Sequence, residues 1–276
     1  MEDDNLKSMT DYNAGQREAA KRILLEVMNI FKNYEETLLL IGGWIPELLF
    51  PGNNHVGSID VDVLCNKLEM EDSGYLTIKR ILERNGYTKH PEKFFSFQKT
   101  VTVDDHKYIV DLDLLAGYSG SKEGRRGQRI QGVTALKLRA GDFALGCPPR
   151  KIRLEGPLPS GALDSASIPV VALMPFLVLK ADALARYKAK DSYDIYFCLL
   201  YAKMPDLIQD FILVSENPVV KKAIDALMDK FSSPDHSGPQ AVADFLEITD
   251  TDERSFIQRD AYERVNYLLT EIRRSI

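Results

Sequence analysis

The chain has 276 residues, 45% of them hydrophobic, enough for one large domain or two modest ones with a real core. Its formal charge of -6 and pI near 5.4 argue against a protein that coats nucleic acid through net charge alone, so a polyanion must be met by a local patch. Three widely spaced cysteines without a C-x-x-C pair, an acidic N-terminus without an apolar h-region and no run of about 18 apolar residues point to a reduced, soluble, cytoplasmic protein that crosses no membrane.

In chain order, residues 14 to 33 place Ile23, Val27, Ile30 and Phe31 at helical spacing, with Thr10, Asp11 or Asn13 as caps. "TLLLI" reads as a short buried strand stopped by Gly42-Gly43, and "WIPELLF" as a helix that tolerates Pro46 only in its first turn. "GSIDVDVLCN" alternates Ile59, Val61 and Val63 against Ser58, Asp60 and Asp62, the period of a strand with one polar face. "SGYLTIKRILERNGY" reads as a helix closed by Gly86. "FFSFQKTVTV" and "HKYIVDLDLLAG" then read as two strands, the second carrying Asp111 and Asp113. The order αβαβαββ predicts a mixed α/β domain.

From Ser119 to about Pro169 the periodicity fades, and loops with short strands are expected. Pro175 suits a helix first turn, and the remaining hundred residues read as amphipathic helix interrupted at Pro205, Pro218 and Pro234. The predicted organisation is an α/β domain over 1-168 and a helical domain over 169-276.

Carboxylates in apolar strands need a counter-charge. Residues i and i+2 of a strand lie about 6.5 Å apart on one face, so Asp60 and Asp62 can present oxygens to one cation or a pair. Hard cations such as Mg²⁺ take such oxygens and keep water and phosphate as further ligands. A third carboxylate from a neighbouring strand, Asp113 or Asp111, completes a site of the kind that holds attacking and leaving oxygens in line during nucleotidyl transfer. A solvated edge strand is the bland alternative for one D-x-D; two such pairs in apolar surroundings favour metal. Gly42-Gly43 ahead of a helix can expose backbone N–H groups to phosphate, and Ser58 can offer a hydroxyl on the same face as Asp60.

"IGGWIPELLF", "SIDVDVL" and "VDLDLLAG" resemble, in order and spacing, the nucleotidyltransferase superfamily that shares its fold with DNA polymerase β. "LMPFLVLKADALARYKAKDSYDIYFCLL" resembles the second-domain helix of its AbiEii-type members, the abortive-infection toxins of toxin–antitoxin pairs. The resemblance covers about residues 38 to 200. It implies a polymerase β-like fold with a mixed sheet and a C-terminal helical domain. It places Gly42 and Gly43 on the phosphate turn, Asp60 and Asp62 on the metal pair, and Lys180 and Asp191 on the conserved helix of the second domain, as nucleotide-binding residues. It leaves the third aspartate between Asp113 and Asp111. It further implies Mg²⁺, with Mn²⁺ as the substitute, a nucleoside triphosphate such as ATP as substrate, RNA (tRNA among the candidates) or protein as acceptor, and an antitoxin partner. Trp44 and the absence of an arginine before Asp60 depart from the family pattern.

Nine Lys or Arg between Lys122 and Arg153 stand against only Glu123 and Asp142, a run that could guide a triphosphate or an RNA end. The four histidines have no metal-ligand spacing. Alternatives are an aminoglycoside-type nucleotidyltransferase, a metal-dependent glycosyltransferase that uses Asp-x-Asp, and a nucleotide-binding regulator without turnover.

Overall fold

The computed structural model describes residues 8–34, 37–66, 78–118, 126–130, 132–186 and 188–275. They form two compact units, an α/β unit of Tyr12–Leu48 and Gly57–Ala172 and a helical unit of Met1–Asp11, Leu49–Val56 and Leu173–Ile276. The segment Leu49–Val56, between the glycine turn and the first aspartates, thus belongs with the helices.

The α/β unit opens with helix α1 (Ala14–Ile30), which Asn13 caps by accepting from the Gln16 N–H at 2.8 Å. Strand β1 (Leu38–Ile41) is buried along its whole length, and a 3-10 turn over Gly42–Trp44 leads into the short helix α2 (Ile45–Leu49). There follow β2 (Val61–Cys65), α3 (Ile78–Arg84), β3 (Thr88–Lys89), β4 (Ser96–Val103) and β5 (His106–Ala116). The expected start of α3, residues 73–77, lies outside the described residues. The unit closes with β6 (Gly127–Ile130), β7 (Val133–Lys137), α4 (Gly141–Gly146), β8 (Arg150–Pro157) and β9 (Leu163–Val170).

The strands form one mixed sheet in the order β3-β4-β5-β2-β1-β9-β8, with β7 also pairing β5 and β6. Its centre sets a parallel pair, β2 and β5, between antiparallel neighbours β1 and β4. Helix α1 packs across β4, β5, β2, β9 and β8. It buries Ile23, Leu24 and Val27, and its Glu26 takes Lys99 of β4 at 2.7 Å and the Tyr87 hydroxyl at 2.7 Å. Lys99 pairs with Val110, so α1 covers the face that also carries Leu112, Leu114, Val61 and Val63. Alternation turns Asp62, Asp111 and Asp113 to the opposite face.

Two eight-residue strands, β8 and β9, cross the stretch expected to hold loops and short strands. Gly156, Pro157 and Gly161 hide them from a periodicity reading, yet these residues sit at the hairpin tip and along an edge strand, where missing donors and side chains cost little.

The helical unit contains α5 (Leu173–Ala183), α6 (Ala189–Tyr201), α7 (Met204–Leu213), α8 (Pro218–Lys230), α9 (Ser237–Phe245) and α10 (Thr251–Arg274). Pro205 and Pro218 fall in the first turns of α7 and α8, where the missing N–H has no partner to lose. Asn217 and Asp250 cap α8 and α10. The chain is therefore mixed α/β with a C-terminal helical region. Among the described residues no helix is long and apolar enough to cross a membrane.

Leu112 lies fully buried on the α1 side of β5, between the two strand positions that carry Asp111 and Asp113. Leu112→Ala is expected to cost about 2–5 kcal/mol of unfolding free energy in urea denaturation, the usual range for such a cavity.

Candidate functional site

In β2–β5 pairing, Asp62 stands directly opposite Asp113. Neighbouring strands are about 4.8 Å apart, and parallel partners point the same way, so the two carboxylates share one face as adjacent like charges. Asp60 is not in the strand; it occupies a bend immediately ahead of β2. Its conformation is set by neighbours. The Trp44 indole N–H donates to the Asp60 carbonyl at 2.8 Å, and the Ser58 hydroxyl donates to Asp60 Oδ1 at 2.5 Å. Trp44 is thus a buried strut under Asp60.

Gly42 ends β1 beside Asp62, and its identity is forced twice. Its φ of +79° is the left-handed region, and a Cβ there would collide with Asp62 Oδ2. The carboxylate of Asp62 therefore lies against the bare backbone of the glycine turn. Gly43 follows it, buried in the same 3-10 turn. Gly57, at φ +69°, likewise leaves room for Glu47 Oε2 just before Ser58.

Asp113 and Asp111 differ sharply. Asp113 Oδ1 is buried and has no hydrogen-bond partner. Burial, and next the Asp60 and Asp111 charges against hydrogen bonding from Ser96 and the charge of Lys93, push its carboxyl up to about 6. Asp111, two residues earlier, has both oxygens engaged: Lys93 Nζ donates to Oδ2 at 2.8 Å and Gln98 Nε2 donates to Oδ1 at 3.0 Å.

Among the described residues, no three His, Cys, Asp or Glu side chains are gathered closely enough to hold a metal ion. Asp60 is turned to Ser58 and Asp111 to Lys93. In kind, however, the donors fit a hard cation: they are carboxylate oxygens only, and one is buried without a partner.

Lys180 and Asp191 belong to the helical unit, in a different cluster. Lys180 Nζ lies 2.6 Å from Asp191 Oδ1 and 2.7 Å from Asp194 Oδ2. Lys190 reaches Asp194 at 2.8 Å, and His55 Nε2 lies 2.9 Å from the same Oδ1. Asp194 is completely buried. Burial would raise its carboxyl, but Lys180, Lys190 and His55 outweigh that and hold it far below the carboxylate range. Burial likewise would lower the Lys180 ammonium, and Asp191 and Asp194 raise it instead. Two cations and two carboxylates balance, so His55 stays neutral; burial lowers its pKa to about 4 against the pull of Asp194. Its ring stacks on Tyr193 at 5.2 Å and meets Phe197 edge-on at 4.6 Å.

The structure thus brings Gly42, Ser58, Asp60, Asp62, Asp111 and Asp113 together in the α/β unit, and sets Lys180 and Asp191 in a buried ion cluster of the helical one. The basic run divides. Arg150, Lys151 and Arg153 are exposed on edge strand β8, whereas Lys137 is buried at the end of β7, on the other side of β5, with its ammonium 5.3 Å from the Tyr118 ring. Lys122 and Arg125 lie outside the described residues. Sequence reading does not single out Lys93 and gives Trp44, His55 and Asp194 no place in a site; their contacts come from segments distant in sequence.

No model of a known protein family matches the sequence, and no curated protein matches it. The chain is similar to two solved structures. One is described as a "putative nucleotidyltransferase from H. pylori", 13% identical, covering 93% of this chain and 97% of that one at a TM-score of 0.43. The other is JHP933 from Helicobacter pylori, 14% identical, covering 92% of this chain and 94% of that one at a TM-score of 0.40.

Two glycines separate strain from contact. Gly52, at φ +83°, has open space where a Cβ would stand, whereas Gly42 faces Asp62. Each Ala substitution should cost about 1–2 kcal/mol for the left-handed backbone. Gly42→Ala should cost measurably more in denaturant unfolding, the excess reporting displacement of Asp62.

Asp113 and His55 give stability opposite pH slopes. An unfolded Asp titrates near 3.9 and Asp113 near 6, so folding is penalised progressively from about pH 4 to 6, and by about 3 kcal/mol above. Unfolded His titrates near 6.5 and His55 near 4, so its stabilising effect is complete above about pH 6.5 and is lost as pH falls to 4. In metal-free urea titrations, Asp113→Asn should exceed wild-type stability at pH 7.5, with the gain vanishing near pH 4. His55→Gln should be less stable at pH 7.5 but lack the loss between pH 6.5 and 4.

Proposed function

We propose that the protein is a Mg²⁺-dependent nucleotidyltransferase that moves a nucleoside monophosphate from a nucleoside triphosphate to a hydroxyl. The observation that carries this reading is the Asp62–Asp113 pair against the Gly42 turn, with a buried, unpartnered oxygen on Asp113. Adjacent ionised carboxylates on a half-buried face are costly without a cation, and oxygen-only donors suit Mg²⁺ or Mn²⁺.

Asp60, Asp62 and Asp113 would hold the metal, which when bound supplies positive charge against the triphosphate and makes a nearby hydroxyl more acidic. The backbone of Gly42 and Gly43 and the Ser58 hydroxyl would position the phosphates, Ser58 exchanging its bond to Asp60 for one to phosphate. Asp113 Oδ1 would accept the proton of the incoming hydroxyl. The acceptor oxygen then bonds to the α-phosphorus, the bond between that phosphorus and the bridging oxygen to the β-phosphate breaks, and pyrophosphate leaves with the electron pair.

Lys180 and Asp191 enter this reading as nucleotide-binding residues through the AbiEii resemblance alone; within the helical unit Lys180 is paired with Asp191 and Asp194. The toxin role, an RNA or protein hydroxyl as acceptor and an antitoxin partner rest on that same resemblance.

The test is transfer of label from each α-labelled nucleoside triphosphate, with Mg²⁺, to cellular RNA and protein. Transfer is expected with at least one triphosphate, and Asp62→Ala should reduce it by about a hundredfold or more while the circular dichroism spectrum is unchanged. Absence of transfer with all four, or transfer that survives Asp62→Ala, contradicts the reading. Label found only on an added aminoglycoside would assign the small-molecule acceptor instead.

A further inference from the structure

The hairpin loop between β3 and β4 places a cation on the aspartate face. Its backbone is tied down on several sides. His90 Nδ1 accepts from the N–H groups of Glu92 and Lys93, both at 3.0 Å, and the Ser96 N–H donates to the Lys93 carbonyl at 3.2 Å. The His90 N–H donates to the Ser96 carbonyl at 3.0 Å, and the Leu114 N–H of β5 donates to the Phe95 carbonyl at 2.9 Å. Both backbone polar groups of Lys93 are therefore used, and its side chain leaves from a fixed point beside Asp113, the register partner of Ser96.

Lys93 reaches Asp111 at 2.8 Å with its own side chain 40% exposed, while Asp111 is only 19% exposed. An ammonium carries three N–H donors, and Asp111 Oδ2 takes one of them. Asp60 and Asp113 also act on Lys93 electrostatically. His90 Nδ1 accepts hydrogen bonds, and its Nε2 lies 3.8 Å from Asp111 Oδ2. Asp111 thus spends both oxygens on holding Lys93 and Gln98, unlike Asp113 with its unpartnered oxygen.

We propose that Lys93 is a substrate-binding residue of this site, donating to a phosphate oxygen of the bound triphosphate, and that Asp111 is the positioning residue for Lys93, not a metal ligand. This rests on the nucleotidyltransferase reading above. It also selects Asp113 as the third carboxylate. A solvent-facing ion pair alone would contribute little to stability and nothing to nucleotide binding. A tethered ammonium beside the carboxylate cluster instead gives the negative face a positive point with two N–H donors left to offer a phosphate oxygen.

The experiment is isothermal titration of the full chain with each nucleoside triphosphate and with inorganic tripolyphosphate, with and without Mg²⁺, in wild type, Lys93→Gln, Lys93→Arg, Asp111→Asn and Asp113→Asn. Wild type should bind at least one triphosphate in a Mg²⁺-dependent way. Lys93→Gln should weaken that triphosphate and tripolyphosphate alike, by about tenfold or more. Lys93→Arg should recover most of the loss, because it restores the charge. Asp111→Asn should weaken binding less and leave its Mg²⁺ dependence intact, whereas Asp113→Asn should remove that dependence. Lys93→Gln binding within twofold of wild type, or Asp111→Asn losing the Mg²⁺ dependence, overturns the proposal while the broader reading stands. No binding of any triphosphate by wild type overturns both.

Discussion

Asp62 and Asp113 are neighbours because β2 and β5 run parallel in register, and the special residues of the α/β unit answer to that pairing. A parallel pair at the centre of a mixed sheet points both carboxylates to one side, while α1 seals the other with Ile23, Leu24 and Val27. The charges cannot retreat by turning inward. They are accommodated locally instead: Gly42 gives up its Cβ to make room for Asp62, Ser96 and Ser58 offer hydroxyls, and Lys93 supplies an ammonium. One oxygen of Asp113 remains without any of these, at a real energetic cost to the fold. Costs of this kind are characteristic of residues kept for chemistry and not for stability.

The helical unit solves a similar problem differently. Asp194 receives Lys180, Lys190 and His55 at once, while Asp191 gives Oδ1 to Lys180 and keeps Oδ2 buried without a hydrogen-bond partner. Such a buried ion cluster contributes little net stability over an apolar replacement but punishes the loss of any one member. His55 carries this order into the segment Leu49–Val56, which belongs to the same unit although it is far from α6 in sequence. The His55–Asp194 hydrogen bond and the contacts of His55 with Tyr193 and Phe197 and of Phe50 with Tyr201 hold the segment on α6.

Much of the fold was legible in sequence because its signals are local. Val61 and Val63 flank Asp62 at strand period, Gly42-Gly43 stops a run of apolar residues, and Pro205 and Pro218 mark first turns; the alternation from Ser58 to Asp60 lies outside the strand, with a bend at Ile59 and Asp60. The β8–β9 hairpin was not, since Gly and Pro at its tip and edge imitate a loop. For the candidate site, the residue types and their order were readable, but their partners were not. Asp111 and Asp113 have the same spacing and flanks, and only the strand register that brings Lys93 and Gln98 to one and Ser96 to the other separates them. Asp60 and Asp62 looked equivalent, yet one sits in a bend under Trp44 and the other in the ladder. Of the basic run, folding sets Lys137 on β7 and Arg150, Lys151 and Arg153 on β8, on opposite sides of β5.

The central claim is that the Asp62–Asp113 pair is built to be neutralised by a divalent cation. Titration of the Asp113 carboxyl carbon by nuclear magnetic resonance, with and without Mg²⁺, tests it most directly. Without metal the carboxyl should titrate near 6; with saturating Mg²⁺ its midpoint should fall well below that of an ordinary aspartate, and Asp62→Asn should reduce that fall. A midpoint that Mg²⁺ leaves unmoved would contradict the account.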